Sequence, residues 1–375
     1  MRGSGLDELP FPIVRPLQRW FRDLGINNTT LFRAEILANY ELLPIDDVHA
    51  FRGIRNKAPS LQNALNNIEW PFLRVTVPSK AFSIIPHMAI VAHEIGHAAF
   101  DDVAWDLSGF DDEKTKVGDR IAKRLGVTTL DSDTRSAFVE IFSNWFEELS
   151  ADAFSFYLTG PASFFALSEF LTLMGGSYGL SKSHPANSLR RKILHDKLIS
   201  GGTKSFSSVF KKHTSCEITE DFNSSLLVHP PSADHVYDDF LKHSANRSVA
   251  AVIAELNSSM IRAAACIYDS LDAYLKNKCP EIIYKPANLD ADLDCHLDAL
   301  LAAIPPIESG SNLEDREPAS FAAILNVGWA ALLTKLPDLR VKVSEPAAVH
   351  KLERLHGLLL KAVELSEARR AWKSV

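Results

Sequence analysis

Cysteine is scarce: four in 375 residues, at Cys216, Cys266, Cys279 and Cys295, with no Cys-x-x-Cys pair. That argues against a disulfide framework and against a thiolate metal site. A basic excess is also missing. Forty Lys and Arg against 47 Asp and Glu leave a formal charge of −7, so nucleic acid is not the expected partner. No uninterrupted apolar run reaches the roughly 20 residues of a membrane span. The stretch 81–100 is broken by His87, His93, His97 and Glu94, and 162–176 is too short. No secretory-type apolar segment follows the N-terminus, so the expectation is a cytoplasmic protein without transmembrane segments. Phosphate-binding glycine loops, a Gly-x-Ser-x-Gly elbow and internal repeats are absent too.

What remains is an ordinary globular composition, 46% hydrophobic and 23% charged. Residues 1–70 mix apolar clusters with Pro10, Pro12, Pro16 and Pro44, and include an amphipathic piece near 31–43. They read as a region packing on or covering a core domain of residues 71–200. Leu73–Val77 alternates like a strand closed by Pro78. Helical spacing then predicts a helix from Ser83 or Pro86 to Phe100, and another through Val117, Ile121 and Leu125 that ends at Gly126. A long helix should run from the caps Asp131–Asp133 to Leu158 and stop at Gly160-Pro161. Asp101–Asp112 reads as an acidic loop. The Ser-, Lys- and Pro-rich stretch 201–245 reads as a linker or long loop, and 246–375 as a helical C-terminal region. The expected fold is α+β and mostly helical, with a small sheet and an active-site helix within 71–200.

The segment that carries chemistry is His93-Glu94-Ile95-Gly96-His97. Residues four apart share a helix face, so both imidazoles can converge on one ion, and zinc suits two imidazoles plus a carboxylate. Glu94 can then serve as general base toward water. Glu148 and Asp152, also four apart, offer the third ligand and an acceptor for the outer N–H of His93. Glu147 competes as ligand, but its i+4 neighbour is Ala151, which supports nothing. Farther on, His184-Pro185 and Arg190 supply donors for a developing oxyanion; Arg190 can equally anchor the Glu148/Asp152 region.

His-Glu-x-x-His, then Glu148-x-x-Ala151-Asp152, then His184-Pro185 with Arg190, resembles the gluzincin metallopeptidases, most closely the HtpX-like and CaaX-prenyl-protease family. A second resemblance is to the ImmA/IrrE-type regulatory metallopeptidases. The first implies Zn2+ on His93, His97 and Glu148, a base at Glu94, and support from Asp152, His184 and Arg190. It covers roughly residues 70–195 and implies a zincin-like fold acting on a protein or peptide. The expected function is a zinc metalloendopeptidase. The alternative is a latent or non-catalytic zinc-containing sensor acting through its C-terminal helices.

Elsewhere the bland reading holds. His87 is expected to be structural. His195, His213, His229, His235 and His243 are expected at the surface, and Asp290, Asp292, Asp294 and Asp298 at a solvated helix start. Val75 and Val77 are expected on a sheet edge where a peptide adds as an extra strand.

Overall fold

Apolar positions recurring every three or four residues make helix the dominant element, as expected. The protein is described by a computed structural model over residues 11–26, 30–35, 41–45, 72–78, 85–103, 105–174, 181–219, 247–309, 317–339 and 347–373. Helix α1 (Phe11–Asp23) buries Ile13, Leu17, Trp20 and Phe21 on one face. Strands β1 (Thr30–Glu35), β2 (Glu41–Ile45) and β3 (Phe72–Pro78) form a small sheet in the order β1-β3-β2. β3 is parallel to β1 and antiparallel to β2.

This order corrects the edge placement of Val75 and Val77. Val75 is fully buried, opposite Phe32 on one side and Leu42 on the other, and Val77 lies opposite Ala34. The amphipathic stretch near 31–43 holds parts of two strands, whose main chains occupy both flanks of β3. A peptide therefore has no open side of β3 to join at Val75.

The helix over the sheet is α2 (Ala89–Ala99), entered through a 3-10 turn at Ile85–Met88. Helix α3 (Ser108–Leu125) closes on Gly126, whose φ of 72° suits glycine, and it takes in the end of the stretch expected to be loop. Helix α4 (Ser132–Thr159) is capped by Asp131, which accepts from Thr134 N at 2.9 Å, and it stops at Gly160. From Glu148 to Thr159 every residue is buried, so it is the central rod of the molecule. Helices α5 (Pro161–Met174), α6 (Asn187–Ile199) and α7 (Phe206–Thr214) come next along the chain. α7 corrects the linker reading for part of 201–245: Phe206 and Phe210, four apart, are buried despite the polar residues around them. Residues 220–246, with His229, His235 and His243, lie outside the described residues.

Helix α8 (Arg247–Lys278) packs on α3 and α4. After it come α9 (Pro286–Leu301), the short strands β4 (Glu308–Ser309) and β5 (Glu317–Pro318), α10 (Phe321–Ala330) and α11 (Ala347–Lys373). One hydrophobic cluster runs from Ile13 to Val363, so the C-terminal helices share the core of the helices before them. α10 is buried on every side. Its Asn326 donates to Thr159 O at 2.7 Å and accepts from Ala162 N at 3.0 Å, while Trp329 donates to Pro86 O at 3.1 Å. Among the described residues no helix is long and apolar enough to cross a membrane.

Candidate metal centre

Two crossing helices build the site. α2 lies against the buried half of α4 at Gly96, where an added Cβ would stand 2.8 Å from Ala151 Cα and 2.9 Å from Phe154 Cβ. Only a residue without a side chain allows that approach. Ser155 Oγ, donating to Ala89 O at 2.9 Å, ties the same two helices together one turn away. The contact sets the His-Glu-x-x-His face directly over Glu148.

His93 Nε2 and His97 Nε2 face each other at 3.2 Å. Glu148 Oε1 lies 3.4 Å from His97 Nε2, and Oε2 lies 3.6 Å from His93 Nε2. One donor atom from each of the three residues falls within 4.8 Å of the others, and among the described residues this is the group of that kind. Glu148 Oε2 is buried and accepts no hydrogen bond. Two imidazole nitrogens that approach head-on share at most one proton, so a lone pair and an unsatisfied carboxylate oxygen converge. Such a donor set fits a metal ion.

The outer ring nitrogens are held as well. His93 Nδ1 stands 2.9 Å from Asp152 Oδ1. His97 Nδ1 stands 3.3 Å from Glu147 Oε1, a role that helix spacing alone did not suggest. Each acid turns its imidazole so that Nε2 points inward. Burial disfavours the charged form of His97, but Glu147 and Glu148 outweigh it and raise its pKa to about 10. Burial likewise works against ionised Glu148, yet His97 and Arg190 hold its carboxyl well below the usual range.

Arg190 Nε and Nη2 reach Asp152 at 2.8 and 2.7 Å, and Nη1 lies 3.5 Å from Glu148 Oε2. Of its two expected roles, the fork geometry matches the anchor. His184 Nε2 lies 3.4 Å from Glu148 Oε1 at the open rim, and its Nδ1 lies 2.8 Å from Ser183 Oγ. Its loop is fixed from α4, because Trp145 Nε1 donates to Ser181 O at 3.0 Å. Glu94 is half-buried among these groups. Burial pushes its carboxyl above the ordinary range, Glu148 adds to that, and His93, His97 and Arg190 oppose it.

Other residues divide differently. His87 is buried against Glu169, Nε2 to Oε2 2.5 Å, in the structural role expected of it. His213 bonds the exposed Asp290 at 2.6 Å. Asp292 departs from the solvated reading: it is 8% exposed and accepts from Tyr284 Oη at 2.8 Å. Comparison with protein families, curated proteins and solved structures returns no match for this chain.

Proposed function

We propose that the protein is a zinc metalloendopeptidase of gluzincin type, in which His93, His97 and Glu148 hold the ion. The observation that carries this reading is the convergence of those three donors from two helices, with Glu94 beside them. A purely structural ion would not need a carboxyl group there whose basicity is raised. When bound, Zn2+ supplies Lewis-acid polarisation of a carbonyl and acidification of water.

The chain's own residues do the rest. The Glu94 carboxylate takes a proton from the attacking water and returns it to the leaving amine; its raised pKa brings it nearer to what a base needs at neutral pH. His184 Nε2, at the rim, is placed to donate to the oxyanion. Asp152, Glu147 and Arg190 act through the ligands as positioning residues. The peptide substrate class comes from the resemblance of the three motifs.

The test is Glu94→Gln. The variant is expected to keep one equivalent of zinc by elemental analysis and to lose hydrolysis of a peptide library, with a chelator-treated wild type as control. Undiminished turnover by pure Glu94→Gln protein refutes the mechanism.

A further inference from the structure

Where α1 meets α10 there is a chamber of about 440 Å³, a volume in the range of small-molecule sites. Trp20 and Phe321, ring centroids 5.4 Å apart, give it an apolar wall together with Leu158 and Ile283. Asp292 stands four residues after Asn288, so both lie on the α9 face that borders the chamber. Asp292 is buried, and Tyr284 Oη donates to its Oδ2 at 2.8 Å, the one hydrogen bond its side chain accepts from the described residues. A carboxylate has lone pairs for about four. Burial pushes this carboxyl up to about 6, the Tyr284 hydroxyl opposes that, and no cation of the chain contributes.

The arginines bordering the chamber are committed elsewhere. Arg19 pairs with Glu367, and Arg370 Nε stands 3.8 Å from the other oxygen of that carboxylate while Nη2 donates to Ala319 O at 3.1 Å. Arg22 donates to Asp23 at 3.1 Å. With these partners counted, three guanidinium groups meet four carboxylates, Asp23, Glu281, Asp292 and Glu367, and Glu281 stands exposed. The N-terminus of α10 is capped as well, since Ser320 Oγ accepts from Ala323 N at 3.0 Å. What the chamber lacks is a positive charge at Asp292. A bare metal ion is a poor answer, because a hard cation takes about six oxygen ligands and the walls here are largely apolar. An ammonium group on an apolar body answers both features: its N–H groups reach the carboxylate, and its hydrocarbon covers Trp20 and Phe321.

We propose that this chamber binds a small organic cation, a primary ammonium carried on a compact aromatic body. The ammonium pairs with Asp292, Glu281 draws it in from the rim, and the ring lies against Trp20 and Phe321. The chamber touches α4 at Leu158, ten residues beyond Glu148 and so about 15 Å along the helix from the metal ligands. It is a separate site, and its occupancy does not depend on the metal.

The experiment is isothermal titration of the full chain at neutral pH with benzylamine, its neutral counterpart benzyl alcohol, and ammonium chloride, at matched ionic strength. Benzylamine is expected to bind at least about tenfold more tightly than either of the others. Asp292→Asn keeps the shape and removes a buried charge, and is expected to bring benzylamine down to the level of benzyl alcohol. Glu281→Gln, at an exposed position, is expected to weaken benzylamine by about two- to fivefold and to spare benzyl alcohol. No binding of benzylamine at about 1 mM, equal binding of benzyl alcohol, or indifference of benzylamine to either substitution overturns the proposal.

Discussion

Gly96 on α2 packs directly on Ala151 of α4, and a methyl group at residue 96 would stand 2.8 Å from the Ala151 Cα. The neighbour is backbone of a buried helix, so it cannot swing aside. Gly96→Ala is therefore expected to cost about 1–3 kcal/mol and to move His93 and His97 off Glu148. Elemental analysis and thermal melts check this. A variant that retains full metal content and the wild-type melting temperature would show that the close approach does not set the site.

The two acids behind the histidines differ in weight. Asp152 is buried, stands 2.9 Å from His93 Nδ1 and is bonded to Arg190, so Asp152→Asn leaves a buried guanidinium poorly compensated. The loss should reach about 3–5 kcal/mol, with metal affinity lower by about 10–100-fold. The Glu147 side chain is 47% exposed, and Glu147→Gln should weaken metal binding much less. Metal competition titrations rank the two. An equal loss in both variants contradicts the ranking.

His184 and Arg190 separate by readout. His184→Ala should keep the metal and lower kcat on the order of 10²-fold, the effect of removing one oxyanion donor. Arg190→Lys gives up the two-pronged bond to Asp152 and should lower the melting temperature and metal content together. If His184→Ala empties the metal instead, the donor assignment fails.

His356 on α11 is buried, both its ring nitrogens lack hydrogen-bond partners, and burial with the nearby His87 lowers its pKa to about 4. The unfolded chain binds that proton near pH 6.5. The contribution to stability is therefore complete above about pH 6.5 and is lost as pH falls toward 4, on the order of 3 kcal/mol in all. His356→Leu should be less sensitive to acid across that window in denaturant titrations at pH 7 and 5. An unchanged pH slope would assign the sensitivity to other groups.

Much of the site is legible in the chain because it depends on local spacing. The His93/His97 face, the Glu148/Asp152 pair, the Asp131 cap and the stop at Gly160 follow from helix periodicity and terminal chemistry. Glu147 is not legible in this way. Whether it reaches His97 depends on how α2 crosses α4, and no i+4 relation encodes a crossing angle. α10 shows no polar face, because it is surrounded, so its sequence carries no amphipathic signal. β3 looks like an edge when Leu73–Val77 is read alone, and its central place depends on two partners many residues upstream.

The bonds made by α10 reach across the whole chain. Thr159 O receives its donor from a residue 167 positions later, and Pro86 O receives one from Trp329, 243 positions later. Both ends of the ligand-bearing helix pair are thus stitched to the far end of the polypeptide. A fragment cut after α6 would strand those two carbonyls and open a hole the size of an indole beside His87. Trimming this protein to the two helices that carry His93, His97 and Glu148 should fail, and truncation of the final third should scatter those three donors as thoroughly as deleting one of them.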